Sequence, residues 1–257
     1  MKSIKIFIFV SLGMIPLLFS SCKKDDTPVE EDHVHMAFEF NYVVNGETYE
    51  AKDTNTVYNV NGTAVQFSIA NFYVGGITFM SEEGVPTEIE DKYLLVTPDA
   101  GMQEVGELAK GHYHMARFFI GVDPLTNSQS TEDFTTRSED PNDPLGVQFP
   151  EMHWSWNSGY KFIRIDGKVD TDADGVPDDA MSFHLGTDDM LKTLEFVTHK
   201  DVDVENDGHM HFEFDLAKAL EGIDLPQEHF THALSTQEIP LATKFRDNLS
   251  NAFKYEH

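Results

Sequence analysis

Cysteine is almost missing from this chain: 257 residues hold one thiol, Cys22. An intrachain disulfide is therefore excluded, and so is a metal site built from several thiolates. Positive charge is scarce as well. Eighteen Lys and Arg stand against 45 Asp and Glu, a formal charge of −27. Nucleic acid needs a basic patch for its phosphates, so it is set aside as a partner. The familiar catalytic signatures are also missing. There is no Gly-x-Ser-x-Gly turn, no phosphate-binding glycine loop and no His-Glu-x-x-His. The chain is accordingly read as a binding protein and not an enzyme. Tryptophan occurs only at Trp154 and Trp156, two positions apart in "PEMHWSWNSGYKF".

What is present points to a folded, exported domain. A hydrophobic content of 40% with 20 phenylalanines is too rich for a disordered chain. At the N-terminus, Lys2 and Lys5 precede an apolar run from Ile6 to Phe19, which is too short to span a bilayer comfortably. "LFSSC" follows, so residues 1–21 read as a lipoprotein signal and Cys22 as the lipidated first residue of the mature protein. The start "CKKDD" resembles the tag that exports Bacteroidetes lipoproteins to the cell surface. Residues 22–32 form a polar tether, and the expected location is the outer membrane, held by the lipid anchor only.

From residue 33 to 257 the pattern is that of one β domain. "HMAFEFNYVVNGETYEA" reads as strand, Asn-Gly turn and strand. "AVQFSIANFYVGGITFM" predicts two strands broken at Gly75-Gly76, and residues 124–150 a long loop with room for a short helix. "KTLEFVTHKDVDVENDGHMHFEFDL" predicts a hairpin turning near Gly208. Two short helices close the chain, one capped by Asp215 and one starting at Pro240 with Leu241, Phe245, Leu249 and Phe253 on one face. The fold class is all-β: an antiparallel β-sandwich with one or two short C-terminal helices.

Three groups of residues are suited to metal. The first is three His-x-His pairs, His33/His35, His112/His114 and His209/His211. On a strand each pair shares a face and offers two imidazoles to one ion. His184 in "SFHLG" is a further single candidate. The second is "DTDADGVPDD", in which Asp170, Asp172, Asp174 and Asp178 alternate around Gly175 like the start of an EF-hand loop. Met181 replaces its final Glu, and the flanks read as strands, so a calcium-stapled hairpin is expected. The third is Met152 and His153 beside the two tryptophans. An extended chain puts Met152, Trp154 and Trp156 on one face and His153 on the other.

At "MHWSWNSGYKFIRIDG" the sequence resembles the MbnP-like family of copper-binding proteins. "VNGETY", "IANFYVGG", "KGHYHMARFFIGVD", "FHLG" and "DNLSNAFKYEH" extend the likeness over most of residues 36–257. The resemblance implies a secreted or surface β-sandwich that holds copper for acquisition or handling. It also implies a tryptophan oxidised to kynurenine, whose amine joins histidines at the copper. A dihaem enzyme related to bacterial cytochrome c peroxidases is the implied partner for that oxidation. Carried onto this chain, Trp154 or Trp156 is the modified residue, with Trp154 preferred. His184 fits the "HLG" position, and His153, His209, His211 and Met152 are further ligand candidates. The alternative is a calcium-stabilised structural or adhesive surface module without copper.

Overall fold

The structure, a computed structural model, describes residues 32–53, 55–154, 159–203 and 208–256. Cys22 and Trp156 lie outside the described residues. In chain order the first strands are β1 (His33–Val44), β2 (Glu47–Thr48), β3 (Tyr58–Val60) and β4 (Thr63–Ser81). Next come β5 (Pro86–Glu88), β6 (Leu94–Val96), β7 (Gln103–Ala109) and β8 (Gly111–Ile120). After two short helices, α1 (Pro124–Asn127) and α2 (Thr131–Arg137), follow β9 (Ile163–Val169), β10 (Asp179–Leu185) and β11 (Lys192–Val202). β12 (Gly208–Asp215), α3 (Leu216–Ala219), β13 (Phe230–Thr231), α4 (Ile239–Ala252) and β14 (Phe253–Glu256) complete the domain.

The strands form two sheets. One runs β14-β12-β1-β2, with β7 also on β1; the other runs β11-β8-β4-β9-β10-β13, with β3, β5 and β6 on β4. Their inner faces meet through rings. Phe38 of β1 packs 5.8 Å from Phe118 of β8, and Phe40 packs 5.3 Å from Phe72 of β4. Phe212 of β12 lies 5.2 Å from Phe118. Each buried Phe contributes about 1.5–3 kcal/mol, and such ring pairs about 0.5–1.5 kcal/mol more. The sandwich expected from alternation is therefore present, as a mixed one. β1 pairs parallel with β12, and β10 pairs parallel with β13.

Two local expectations are corrected. The Gly75-Gly76 break is absent, because β4 continues through it as a 19-residue strand. The glycines instead shift the register against β8 and leave room for rings. A Cβ on Gly76, at φ +59°, would lie 2.3 Å from Phe119, and one on Gly75 2.6 Å from Tyr93. The hairpin near Gly208 does not form either. β11 pairs with β8 in one sheet and β12 with β1 and β14 in the other. Both strands are apolar on one face, so they serve the core from opposite sides, with Phe196 5.0 Å from Phe212. The C-terminal helices form as expected. Asp215 Oδ1 accepts from the Ala217 and Lys218 amides, and Phe245 and Leu249 of α4 are buried.

Candidate metal centre

The site grows from strand register. β9 and β10 pair antiparallel, which sets Asp166 opposite Ser182 and Arg164 opposite His184. β13 runs parallel to β10 with Ser182 beside Phe230 and Phe183 beside Thr231. One more step along that register brings His232 abreast of His184. Adjacent strands lie roughly 4.8 Å apart, so side chains at matched positions touch. The two imidazoles accordingly stack, with centroids 4.5 Å apart and planes within 2°.

Trp154 closes this pair from the neighbouring segment. Residues 152–154 pair back on 159–161. The Lys161 amide donates to the Met152 carbonyl at 2.8 Å, and the Trp154 amide to the Gly159 carbonyl at 2.9 Å. The indole is 2% exposed and lies 5.6 Å from His184 and 5.3 Å from His232. Lys161 holds its ammonium 4.9 Å from the indole centroid. Gly186 is needed for this approach. A Cβ there would come within 2.4 Å of the Tyr160 carbonyl oxygen and 2.6 Å of the indole nitrogen.

Hydrogen bonds set the protonation of both rings. Burial works to raise the Asp166 carboxyl, but bonds from His184 and Arg164 outweigh it and hold it well below the usual carboxylate range. An ionised carboxylate only accepts, so His184 Nε2, 2.7 Å from Asp166 Oδ1, must carry a proton. Ser182 spends its one hydroxyl proton on Asp166, at 2.8 Å. Its oxygen then accepts from His232 Nε2, 3.3 Å away. Burial is also the largest influence on both histidines and lowers their pKa values. In the neutral rings the lone pair therefore sits on Nδ1. His184 Nδ1 is buried and has no hydrogen-bond partner, which is a free ligand atom in a dry place.

The other residues singled out in the sequence lie elsewhere. His153 turns to the opposite side of its segment, stacked 4.1 Å from Phe134 and edge-on to Tyr160 at 5.0 Å. Met152 is buried in the core. His209 and His211 sit on β12 of the other sheet, with His211 Nδ1 3.0 Å from Glu39. The three His-x-His pairs do share strand faces, but none reaches Trp154. His35 contacts Glu104 and Glu107, His112 contacts Asp201, and His114 Nδ1 lies 2.7 Å from the Ser81 carbonyl. At the tip of the β9–β10 hairpin, carboxylate oxygens of Asp170, Asp172 and Asp174 come within 4.8 Å of one another. Asp178 is not among them. Asp170 already accepts amides of Ala173 and Gly175 at 2.8 Å each. His232 escaped the sequence reading because it belongs to no pair, and its neighbour is set by a parallel register.

The MbnP family model matches residues 33–238, a span that takes in Trp154, His184 and His232. The chain belongs to the MbnP family. That family is linked to copper binding in general. Among solved structures, MbnP from Methylosinus trichosporium matches with a TM-score of 0.52 at 18% identity. The match covers 75% of this chain and 79% of that one, and at this identity it shows a shared fold. No curated protein matches the sequence significantly. Among the described residues of this MbnP-family chain, His184 and His232 meet against Trp154, and burial lowers the pKa of both imidazoles.

Proposed function

We propose that the chain is a copper-binding surface lipoprotein, serving copper acquisition or handling, with its site at His184, His232 and Trp154. The observation that carries this is the stacked imidazole pair, held neutral by burial and tautomerised by Asp166 and Ser182, with His184 Nδ1 left buried and unbonded. Imidazole nitrogen suits copper, and an exported protein has no reduced thiols to use instead. His184 and His232 would hold the ion, and Asp166 would fix the His184 ring behind it, as outer carboxylates do at metal sites. Bound copper here is cargo, so the proposed role is binding and not turnover.

Trp154 is the residue whose oxidation to kynurenine this reading invokes. Oxidative cleavage of its C2–C3 bond by peroxide, with C2 then lost by hydrolysis as formate, would turn the indole nitrogen, already beside the histidines, into an aromatic amine able to join them. A dihaem peroxidase-like enzyme is the proposed agent. Anchoring by lipidated Cys22 on the outer membrane belongs to the same reading; no helix among the described residues is long and apolar enough to cross a membrane. Native protein analysed by intact mass and metal content tests both parts. One copper per chain is expected, with loss in His184→Ala/His232→Ala. Equal copper in that double variant would sink the proposal.

A second reading rests on the Asp170, Asp172 and Asp174 cluster. Calcium at the hairpin tip would staple β9 to β10 whether or not copper binds. Calcium should raise the melting temperature of the wild type and not of Asp172→Asn/Asp174→Asn.

A further inference from the structure

A second histidine pair lies at the far edge of the same sheet, outside the site just described. β11 pairs with β8 in register until Val197 faces Met115, and pairing resumes with Lys200 facing Tyr113. Two residues, Thr198 and His199, therefore oppose His114 alone, which is a β-bulge. Thr198 turns inward and donates to the Tyr113 carbonyl at 3.1 Å, pinning the bulge. His199 takes φ +43°, a left-handed conformation that a histidine adopts at some cost. Strained residues of this kind cluster at functional sites.

The bulge changes what His112 meets. His112 Nδ1 is 2.7 Å from Asp201 Oδ1, so it donates to that carboxylate and leaves a lone pair on Nε2. Nε2 faces His199 Nδ1 at 3.5 Å. Two imidazole nitrogens bound to one tetrahedral zinc at about 2.0–2.1 Å are roughly 3.4 Å apart. The separation found is thus the one a shared cation requires. Asp201 stands behind His112 as the outer carboxylate does in carboxylate–histidine–zinc groups. Glu82 and Glu83 are close enough to act electrostatically on His112, and they add negative charge where a cation would sit.

We propose that His112 and His199 form a second, surface metal site that takes a divalent first-row ion such as zinc, with water completing the shell. This site does not depend on the copper reading. The competing occupant of the gap is a proton shared between the two rings, and the test distinguishes the two.

Zinc chloride is titrated calorimetrically into the full chain carrying His184→Ala and His232→Ala, with calcium present to fill any acidic-loop site. One zinc equivalent is expected. Adding His199→Asn, which keeps a residue tolerant of left-handed backbone, should weaken that binding at least tenfold, and His112→Gln should do the same. Zinc should also shift the imidazole NMR signals of His112 and His199 together. The proposal is overturned if zinc does not bind, or if both variants melt normally and bind zinc as the parent does. It is equally overturned if the signals of these two rings stay unmoved at saturation.

Discussion

The nine-stranded sheet carries a histidine pair at each edge, and the two pairs differ in one physical respect. At the β10–β13 edge, His184 is buried and stacks face to face on half-buried His232. At the β11–β8 edge, half-buried His112 and exposed His199 meet nitrogen to nitrogen. A carboxylate backs each pair at the same distance, 2.7 Å, from Asp166 in one and Asp201 in the other. Yet the titration runs in opposite directions. Burial dominates at His184 and lowers its pKa, whereas the Asp201 hydrogen bond dominates at His112 and raises it. The same imidazole–carboxylate pair is pushed toward the neutral ring where burial dominates and toward imidazolium where the carboxylate does.

The sharpest way to break the comparison is to empty one edge. His184→Ala/His232→Ala should lower copper by one equivalent in elemental analysis, while His209→Ala/His211→Ala on the other sheet should leave it unchanged. Next in size is Gly186→Ala. Its methyl meets the Tyr160 carbonyl and the indole nitrogen. It should cost about 1–3 kcal/mol in denaturant unfolding and displace Trp154, with a shift in fluorescence. Asp166→Asn keeps the shape but removes the charge that fixes the His184 proton. Copper affinity should fall about 10–100-fold in a competition titration.

The smallest effect is the most diagnostic of the contrast. The folded pKa values of His184 and His232 lie below the ordinary 6.5. The unfolded chain therefore binds more protons as pH falls through 6.5, and stability contributed there is lost on further acidification. His112 has the opposite sign. Its raised pKa gives a contribution present below 6.5 and lost as pH rises through the folded value. Imidazole NMR titration should place the His184 midpoint below 6.5 and that of His112 above it. Matching midpoints would remove the distinction between the edges.

Alternation of apolar residues made the strands legible, and the ring-rich stretches marked the core. The Asp215 cap and the face containing Phe245 and Leu249 were readable as well, because capping and helical spacing are local. Turn chemistry alone misled at Gly208. It signals a change of direction, not which sheet receives the next strand, and here β12 leaves for the opposite sheet. Gly75-Gly76 misled for a related reason, since the glycines admit the rings of Phe119 and Tyr93 and do not end the strand. At the site, Trp154 and His184 were found through the family resemblance. His232 stayed hidden because it meets His184 from a distant part of the sequence, through the parallel β10–β13 register. The bulge that joins His199 to His112 is likewise a property of two paired strands, and neither sequence segment shows it alone.

β13 is two residues long, and it hangs from the last strand of its sheet. His232 follows directly on it. One jaw of the proposed copper clasp is therefore mounted beside a two-residue edge strand, while the other, His184, is fixed in a full strand. An ion gripping both would act as a rivet, slowing amide exchange around residues 230–232 in proportion to its affinity. By the same linkage, peeling this edge away would loosen a bound ion without unfolding the domain.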